Sequence, residues 1–256
     1  MTGDSEDLPG DALVEDGSID LLELPSLSDW FDPFIRQFLR DALRCGGEGR
    51  MMRTGTAIEA VYLYHPVENE ATVFARDPRW TRTVRAARPT RALYSDFDLD
   101  GSAEPYSIYA GAPRNEPLLG LRHPIRVGGS GDREALLDLL RSVYDRVDPR
   151  WLDSRSSSAE TCLVAEGSGE LVGAAWATVR GSRARLHSLT VRLPYRNCGV
   201  GTDLFEARAA WLRTLGVDSL VSEIAESNRP SRAIAERAGL RVVGRMFRIP
   251  AVGSGP

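Results

Sequence analysis

In Leu189-Thr190-Val191-Arg192-Leu193-Pro194-Tyr195-Arg196-Asn197-Cys198-Gly199-Val200-Gly201-Thr202, an alternating strand pattern runs into a short loop with two glycines, and a helical pattern starts at once. Glycine allows successive backbone N–H groups to point inward around an anion. The N-terminus of the helix behind the loop adds the positive end of its dipole. Arg196 places a fixed charge at the rim. The segment suits a pyrophosphate; the plainer alternative is a strand-to-helix turn that needs glycine only for tightness.

Outward from this loop, the C-terminal half predicts strand, helix, hairpin, strand, helix, strand, helix, strand. Residues 124–127 form the first strand. Asp132 caps a helix with Leu136, Leu137, Leu140, Val143, Tyr144 and Val147 on one face. Residues 162–166 and 171–179 make a hairpin about Gly167-Ser168-Gly169. A strand over 185–191 leads into the loop. The helix over 201–215 stops at Gly216, and after a strand over 218–224 the helix over 229–238 stops at Gly239. Residues 240–247 close the pattern, which is that of a mixed α+β domain.

Further upstream, residues 1–24 are rich in Gly, Asp, Glu and Ser and are expected to be flexible. Trp30, Phe31, Phe34, Ile35, Phe38, Leu39 and Leu43 recur at helical spacing behind a cap at Ser28 or Asp29, a stripe fit for a core or for a homodimer. Residues 58–67 and 71–76 read as strands joined by a turn at Glu68-Asn69. Asp77-Pro78 opens a helix to residue 88, and 92–94 and 106–109 are further strands. Pro113, Pro117 and Gly120 mark a linker over 111–121. The expected organisation is therefore a flexible 1–24, an α+β module over 25–112 and a second domain over 121–250. Asp96, Asp98 and Asp100 lack the glycine and closing glutamate of a calcium loop, and read as a solvated turn.

The 256-residue chain is 42% hydrophobic and 27% charged, as ordinary globular proteins are. A net charge of −4 offers no basic surface for nucleic acid. Cys45, Cys162 and Cys198 are odd in number and dispersed, and there are three His, too few for a zinc or iron cluster. No disulfide framework is expected, which fits a reducing cytoplasm. No apolar run approaches the roughly 18 residues of a membrane span, and the acidic N-terminus does not read as a signal peptide. Cytoplasmic, without membrane or nucleic-acid partner, is the expectation.

Arg196-x-x-Gly199-x-Gly201 behind the Leu189-x-Val191 strand resembles motif A of the GNAT superfamily, whose loop binds the diphosphate of acyl-CoA. The stretch from Ser222 through Asn228 and Ser231 to Gly239-Leu240 resembles its motif B. The resemblance covers about half the chain. It implies an α+β fold with a mixed sheet, the acyl-CoA N-acyltransferase fold, with acetyl-CoA as co-substrate and no metal. By the same resemblance Leu189 and Val191 offer strand amides to the pantetheine arm and thioester carbonyl. Arg196, Asn197, Cys198, Gly199, Val200, Gly201 and Thr202 hold the pyrophosphate, and Asn228 and Ser231 line the other side.

The implied reaction moves an acetyl or short acyl group to the primary amine of a small molecule, by direct attack in a ternary complex. Acetylation of a protein or peptide, and non-catalytic acyl-CoA binding, are the rival readings. The superfamily often protonates the departing thiolate with a Tyr, and the matching position here is Ala235. His187 is the first candidate base. Its run Leu186-His187-Ser188-Leu189-Thr190-Val191 resembles L-H-x-L-x-V of arylalkylamine acetyltransferases, and imidazole titrates near neutrality. A His packed under the sheet is the alternative. Glu223 is the second candidate, with an ion pair to an Arg as its alternative, and Glu226 is the third. The N-terminal module either covers the acceptor site or is a degenerate half of a duplicated fold.

Overall fold

The computed structural model describes residues 17–18, 48–54, 57–65, 69–87, 92–99, 101–114, 120–144, 147–150, 152 and 160–250. The expected helix over 30–43, its cap, Cys45, Glu68, Asp100 and most of residues 1–24 lie outside them. The chain divides into two units, one running to Glu104 and including the end from Met246, the other Pro105–Arg245.

The first unit contains β1 (Gly17–Ser18), β2 (Glu48–Thr54), β3 (Ala57–His65), β4 (Glu70–Ala75), α1 (Pro78–Ala87) and β5 (Ala92–Ser95). β1 to β4 are antiparallel neighbours, and α1 crosses over so that β5 lies parallel to β4. The chain's last strand residues, Phe247–Pro250, pair antiparallel with the far edge of β5. Trp80 and Val84 bury the inner face of α1 against Tyr62, Val73 and Leu93. The sequence pattern missed β1 and β2. Glu-Gly-Arg-Met-Met-Arg-Thr carries little β-propensity, and burial of Met51 and Met52 holds β2 in place.

The second unit takes in nearly all of β6 (Glu104–Gly111), then β7 (Ile125–Val127), α2 (Arg133–Arg141), β8 (Glu160–Gly167), β9 (Glu170–Arg180), β10 (Arg183–Val191), α3 (Val200–Thr214), β11 (Ser219–Ala225), α4 (Arg229–Arg237) and the start of β12 (Arg241–Pro250). Its strands lie in the order β6-β11-β10-β9-β8-β7, antiparallel except for β10 with β11. Alternation divides the side chains between two faces. Val164, Ala174 and Trp176 pack under the leucines of α2, while Leu163, Ala175 and Val191 pack under α3. The predicted hairpin is present, with Ser168 (φ 53) and Gly169 (φ 83) both left-handed at its tip. Gly216 (φ 81) and Gly239 (φ 88) end α3 and α4 as expected. Among the described residues no helix is long and apolar enough to cross a membrane.

Two expectations at α2 need correction. The helix stops at Arg141 and leaves Tyr144 46% exposed, while Val147 packs against the same leucines from beyond the helix. Asp132 stands at the N-cap position but makes no cap bond. Its carboxylate instead accepts from Gly129 N–H at 2.8 Å and from both Arg126 Nη atoms at 2.7 Å.

The Arg126 guanidinium holds the Asp132 carboxyl down from the usual 3.8 to about 2. The folded pKa is depressed, so the stabilisation is present above about pH 4 and is lost as pH falls towards 2. Asp132→Asn should cost about 1 kcal/mol near neutral pH, discounted for the exposure of Arg126. Urea melts of variant and native protein should converge near pH 2. At Gly173 the sheet touches α3 closely: an added Cβ would stand 2.8 Å from Leu204 Cδ1, 3.0 Å from Val200 Cγ1 and 3.1 Å from the Thr190 carbonyl. Gly173→Ala should therefore cost about 1–3 kcal/mol of overpacking, read from the same melts; an unchanged midpoint would mean that α3 can back away.

Candidate active site

β10 and β11 pair over three residues, Arg183–Arg185 with Ser219–Val221, and then part. Ser222 Oγ donates to the Leu186 carbonyl at 3.0 Å at the vertex. On its other edge β10 carries a bulge. His187 is opposite Trp176 and Thr190 opposite Ala174, so Ser188 and Leu189 face the single residue Ala175. Ser188 is left-handed there (φ 51), a strained setting for a residue with a side chain. A bulge takes backbone groups out of the ladder and re-aims them. Arg208 of α3, 2% exposed, braces this one: Nη1 donates to the Trp176 carbonyl at 2.6 Å and to that of His187 at 3.2 Å. The Phe205 ring centroid lies 5.5 Å from its Cζ. Burial pulls the Arg208 pKa down to about 9, which leaves it a cation near neutrality.

Beyond Val191 the chain turns through Leu193–Tyr195, and Asn197 (φ 61) and Gly199 (φ 95) are both left-handed before α3 begins. No side chain caps α3, and the N–H groups of its first turn have no acceptor within the helix. Arg196 Nε donates to the Val191 carbonyl at 3.1 Å, which fixes its charge beside the loop. Arg122 stands over Gly199, so close that a Cβ there would lie 3.1 Å from its Nη1. Asp203, buried in the first turn of α3, holds that segment by accepting from Arg122 N–H at 3.0 Å and contacting His123 Nδ1 at 2.7 Å. A cavity of about 370 Å³ opens between α3 and α4, lined by Arg114, Thr202, Phe205, Glu206, Ile234 and Arg237.

On the α2 side of the sheet a row of polar groups crosses β8, β9 and β10. His187 Nε2 lies 3.1 Å from Thr178 Oγ1 and 3.2 Å from Glu160 Oε2. Thr178 donates to Glu160 Oε1 at 2.6 Å, and His187 Nδ1 lies 3.1 Å from Ser188 Oγ. Of the two contacts at Nε2, that with Glu160 Oε2 is at ion-pair distance.

Residues 133–240 match the family model of the Acetyltransferase (GNAT) family. The C-terminal half is a GNAT domain. The family takes its acyl group from acetyl-CoA. The chain is 32% identical over 102 residues to the L-methionine sulfoximine/L-methionine sulfone acetyltransferases of Pseudomonas aeruginosa and Pseudomonas paraeruginosa, a match covering 38% of this chain. It spans 59% of the length of those curated relatives. In fold, 92% of the chain matches 95% of a GCN5-related N-acetyltransferase from Sphaerobacter thermophilus, at 15% identity and a TM-score of 0.65. A tandem GNAT protein from the clavulanic acid biosynthesis pathway matches 95% of the chain over 99% of its own, at 14% identity and a TM-score of 0.58.

Within the GNAT domain, Leu189, Val191 and Gly201 come together, with Ile234 Cδ1 3.3 Å from where a Gly201 Cβ would be. Val200 is buried and packs as core, and the Cys198 thiol is exposed, bonded to the Arg196 carbonyl. Asn228 and Ser231 sit at the start of α4, where Asn228 Oδ1 accepts from Ser231 N–H at 3.2 Å. His187 is on the strand wall of the cleft. Glu223 has both oxygens engaged by Arg185 Nε, at 2.9 and 3.2 Å, and Glu226 is held by Arg245 at 2.7 Å. Ala235 is fully buried in the core. Sequence reasoning missed Arg122, Arg208, Ser188, Thr178 and Glu160.

Gly199→Val sets a branched side chain in left-handed backbone and against Arg122, a strain of about 1–2 kcal/mol. The Kd for CoA, measured by calorimetry, should rise about tenfold or more. Unchanged affinity would show that the loop's backbone shape does not matter to the ligand.

Proposed function

We propose that this protein moves an acetyl or short acyl group from acyl-CoA to the primary amine of a small molecule, by direct attack in a ternary complex. The observation that carries the reading is the parting of β10 from β11 beside a braced bulge, with the uncapped start of α3 at its end. The backbone of residues 197–202, with Arg196 and Arg122, suits a diphosphate. Arg114, Thr202 and Arg237 continue that surface along the cavity. Leu189 and Val191 offer their amides from the cleft wall, and Asn228 and Ser231 border the α4 side. Acyl-CoA brings an activated thioester; the chain's part is to align it with the amine and to aim an amide at the carbonyl oxygen. His187 is the base. Ala235 stands where the superfamily often has its tyrosine donor, so another group or water protonates the thiolate, a fair leaving group.

The small-molecule acceptor is supported by the Pseudomonas relatives, whose named substrates are the size of an amino acid. Thiol release from acetyl-CoA, followed across a panel of amines, amino acids and peptides, tests the reading. Turnover is expected with an amino-acid-sized amine, and His187→Ala should cut kcat about 100-fold with CoA binding retained. Tight CoA binding with no turnover on any acceptor would overturn it in favour of a regulatory acyl-CoA-binding role.

The first unit reads as a degenerate half of the same fold. β2-β3-β4, α1 and β5 repeat the order of β8-β9-β10, α3 and β11: an antiparallel trio, a crossover helix, then a parallel strand. The tandem GNAT neighbour supports a doubled arrangement. The start of α1 differs from that of α3, because Asp77 Oδ1 accepts Arg79 N–H at 2.8 Å and puts a carboxylate where an anion would sit. Calorimetric titration should therefore give one CoA bound per chain; two would refute the degenerate half.

A further inference from the structure

We propose that Ser188, His187, Thr178 and Glu160 form a directional proton relay, in which Ser188 takes the proton from the acceptor nitrogen and Thr178 and Glu160 position and charge-balance the imidazole. The proposal deepens the acyl-transfer reading and rests on it.

The direction follows from counting hydrogens. Thr178 has one hydroxyl hydrogen, and at 2.6 Å from Glu160 Oε1 it is committed to the carboxylate. Thr178 Oγ1 therefore meets His187 Nε2, at 3.1 Å, as an acceptor, which puts the ring hydrogen on Nε2 and leaves Nδ1 with the lone pair. Ser188 Oγ, 3.1 Å from Nδ1, is then the donor. Each hydroxyl and ring hydrogen in the chain points from Ser188 towards Glu160.

The Ser188–His187 contact is itself unusual. Neighbouring residues on a regular strand point to opposite faces, so adjacent side chains do not meet. Here they do, because the bulge and the left-handed φ of 51 at Ser188 turn its hydroxyl back onto the preceding ring. The strain is spent at the cleft wall, where β10 has left β11.

The charges around the ring suit a transient imidazolium. The Glu160 carboxylate is 3.2 Å from Nε2, and both side chains are 9% exposed, so the attraction is little screened. Burial pushes the Cys162 thiol up to about 12, so it is neutral. Arg185 is paired with Glu223. Arg208, bonded to the His187 carbonyl, and Arg180, two positions beyond Thr178 on β9, are cations that oppose a charged ring, and Glu160 offsets them. As the N–C bond forms and the C–S bond breaks, the nitrogen loses one proton to Ser188 Oγ while the Ser188 hydrogen passes to Nδ1. The ring then returns that proton by the same path to the thiolate or to water.

Long-range ¹H–¹⁵N correlation spectra test the chain without substrate. The protein has three His, and His187→Ala assigns the signal. Neutral His187 should be the Nε2–H tautomer. Loss of the carboxylate in Glu160→Gln should lower its pKa by about one unit, and the acid limb of kcat/KM should move to lower pH by the same amount. Thr178→Val should lose the single tautomer and Thr178→Ser should restore it. Ser188→Ala should leave the ring's titration in place while kcat falls about tenfold or more, with KM for acyl-CoA unchanged. An Nδ1–H tautomer, or an unshifted titration in Glu160→Gln, overturns the relay. Native turnover and pH profile in both Ser188→Ala and Glu160→Gln overturn the relay alone, whereas absence of turnover on every amine overturns the acyl-transfer reading with it.

Discussion

Arg208 is a guanidinium sealed inside the GNAT domain, and the cleft wall is built on what it holds. A bulge leaves carbonyls out of the ladder, and inside a core such carbonyls need donors. Arg208 supplies one nitrogen to two of them, from Trp176 and His187. A shorter or apolar residue would fill space and leave both oxygens unpaired. The fixed carbonyls in turn set the backbone at Ser188 and Leu189, and hence the placement of the His187 ring. The desolvation of a buried cation is thus offset locally by holding a backbone that has no regular partner.

The two units make a controlled comparison of one topology. Each lays down an antiparallel trio, crosses over a helix and adds a parallel strand. Within that shared order, one difference lies at the start of the crossover helix. At α3 the chain passes through two left-handed residues and leaves the first turn uncapped; at α1 it enters the helix directly, with Asp77 bonded to the Arg79 amide. At α1 the protein's own carboxylate takes one of the first-turn amides and lies at the positive end of the dipole. On the acyl-transfer reading, anion binding follows the helix entry and not the fold around it.

Much of the second unit was legible in the sequence because its signals are local. Gly216 and Gly239 stop helices by taking left-handed φ, and Ser168-Gly169 turns the hairpin, each within a few residues. The polar row was not legible, because it depends on register. Counting back from the Gly167–Glu170 turn would place Glu160 opposite Ala177; the irregularity between Ala165 and Glu166 moves it to Thr178. A slip of one residue exchanges faces, so only the irregular strand brings Glu160 to the side of His187. Arg208 reads in the sequence as one more surface arginine on a helix. Asp132 was misread because the favoured cap residue found a stronger partner in Arg126.

The parting of β10 and β11 leaves, in effect, a sheet lacking one strand over part of its length. Two facing edges of a sheet discriminate by the spacing of hydrogen-bonding groups along a ligand more than by its bulk. An extended chain carrying amides at strand-like intervals can complete the ladder, while a greasy rod of equal width strands the edge N–H and C=O groups without partners. On the acyl-transfer reading, the cleft would thus select the arm that carries the acyl group before any contact with the acyl group itself.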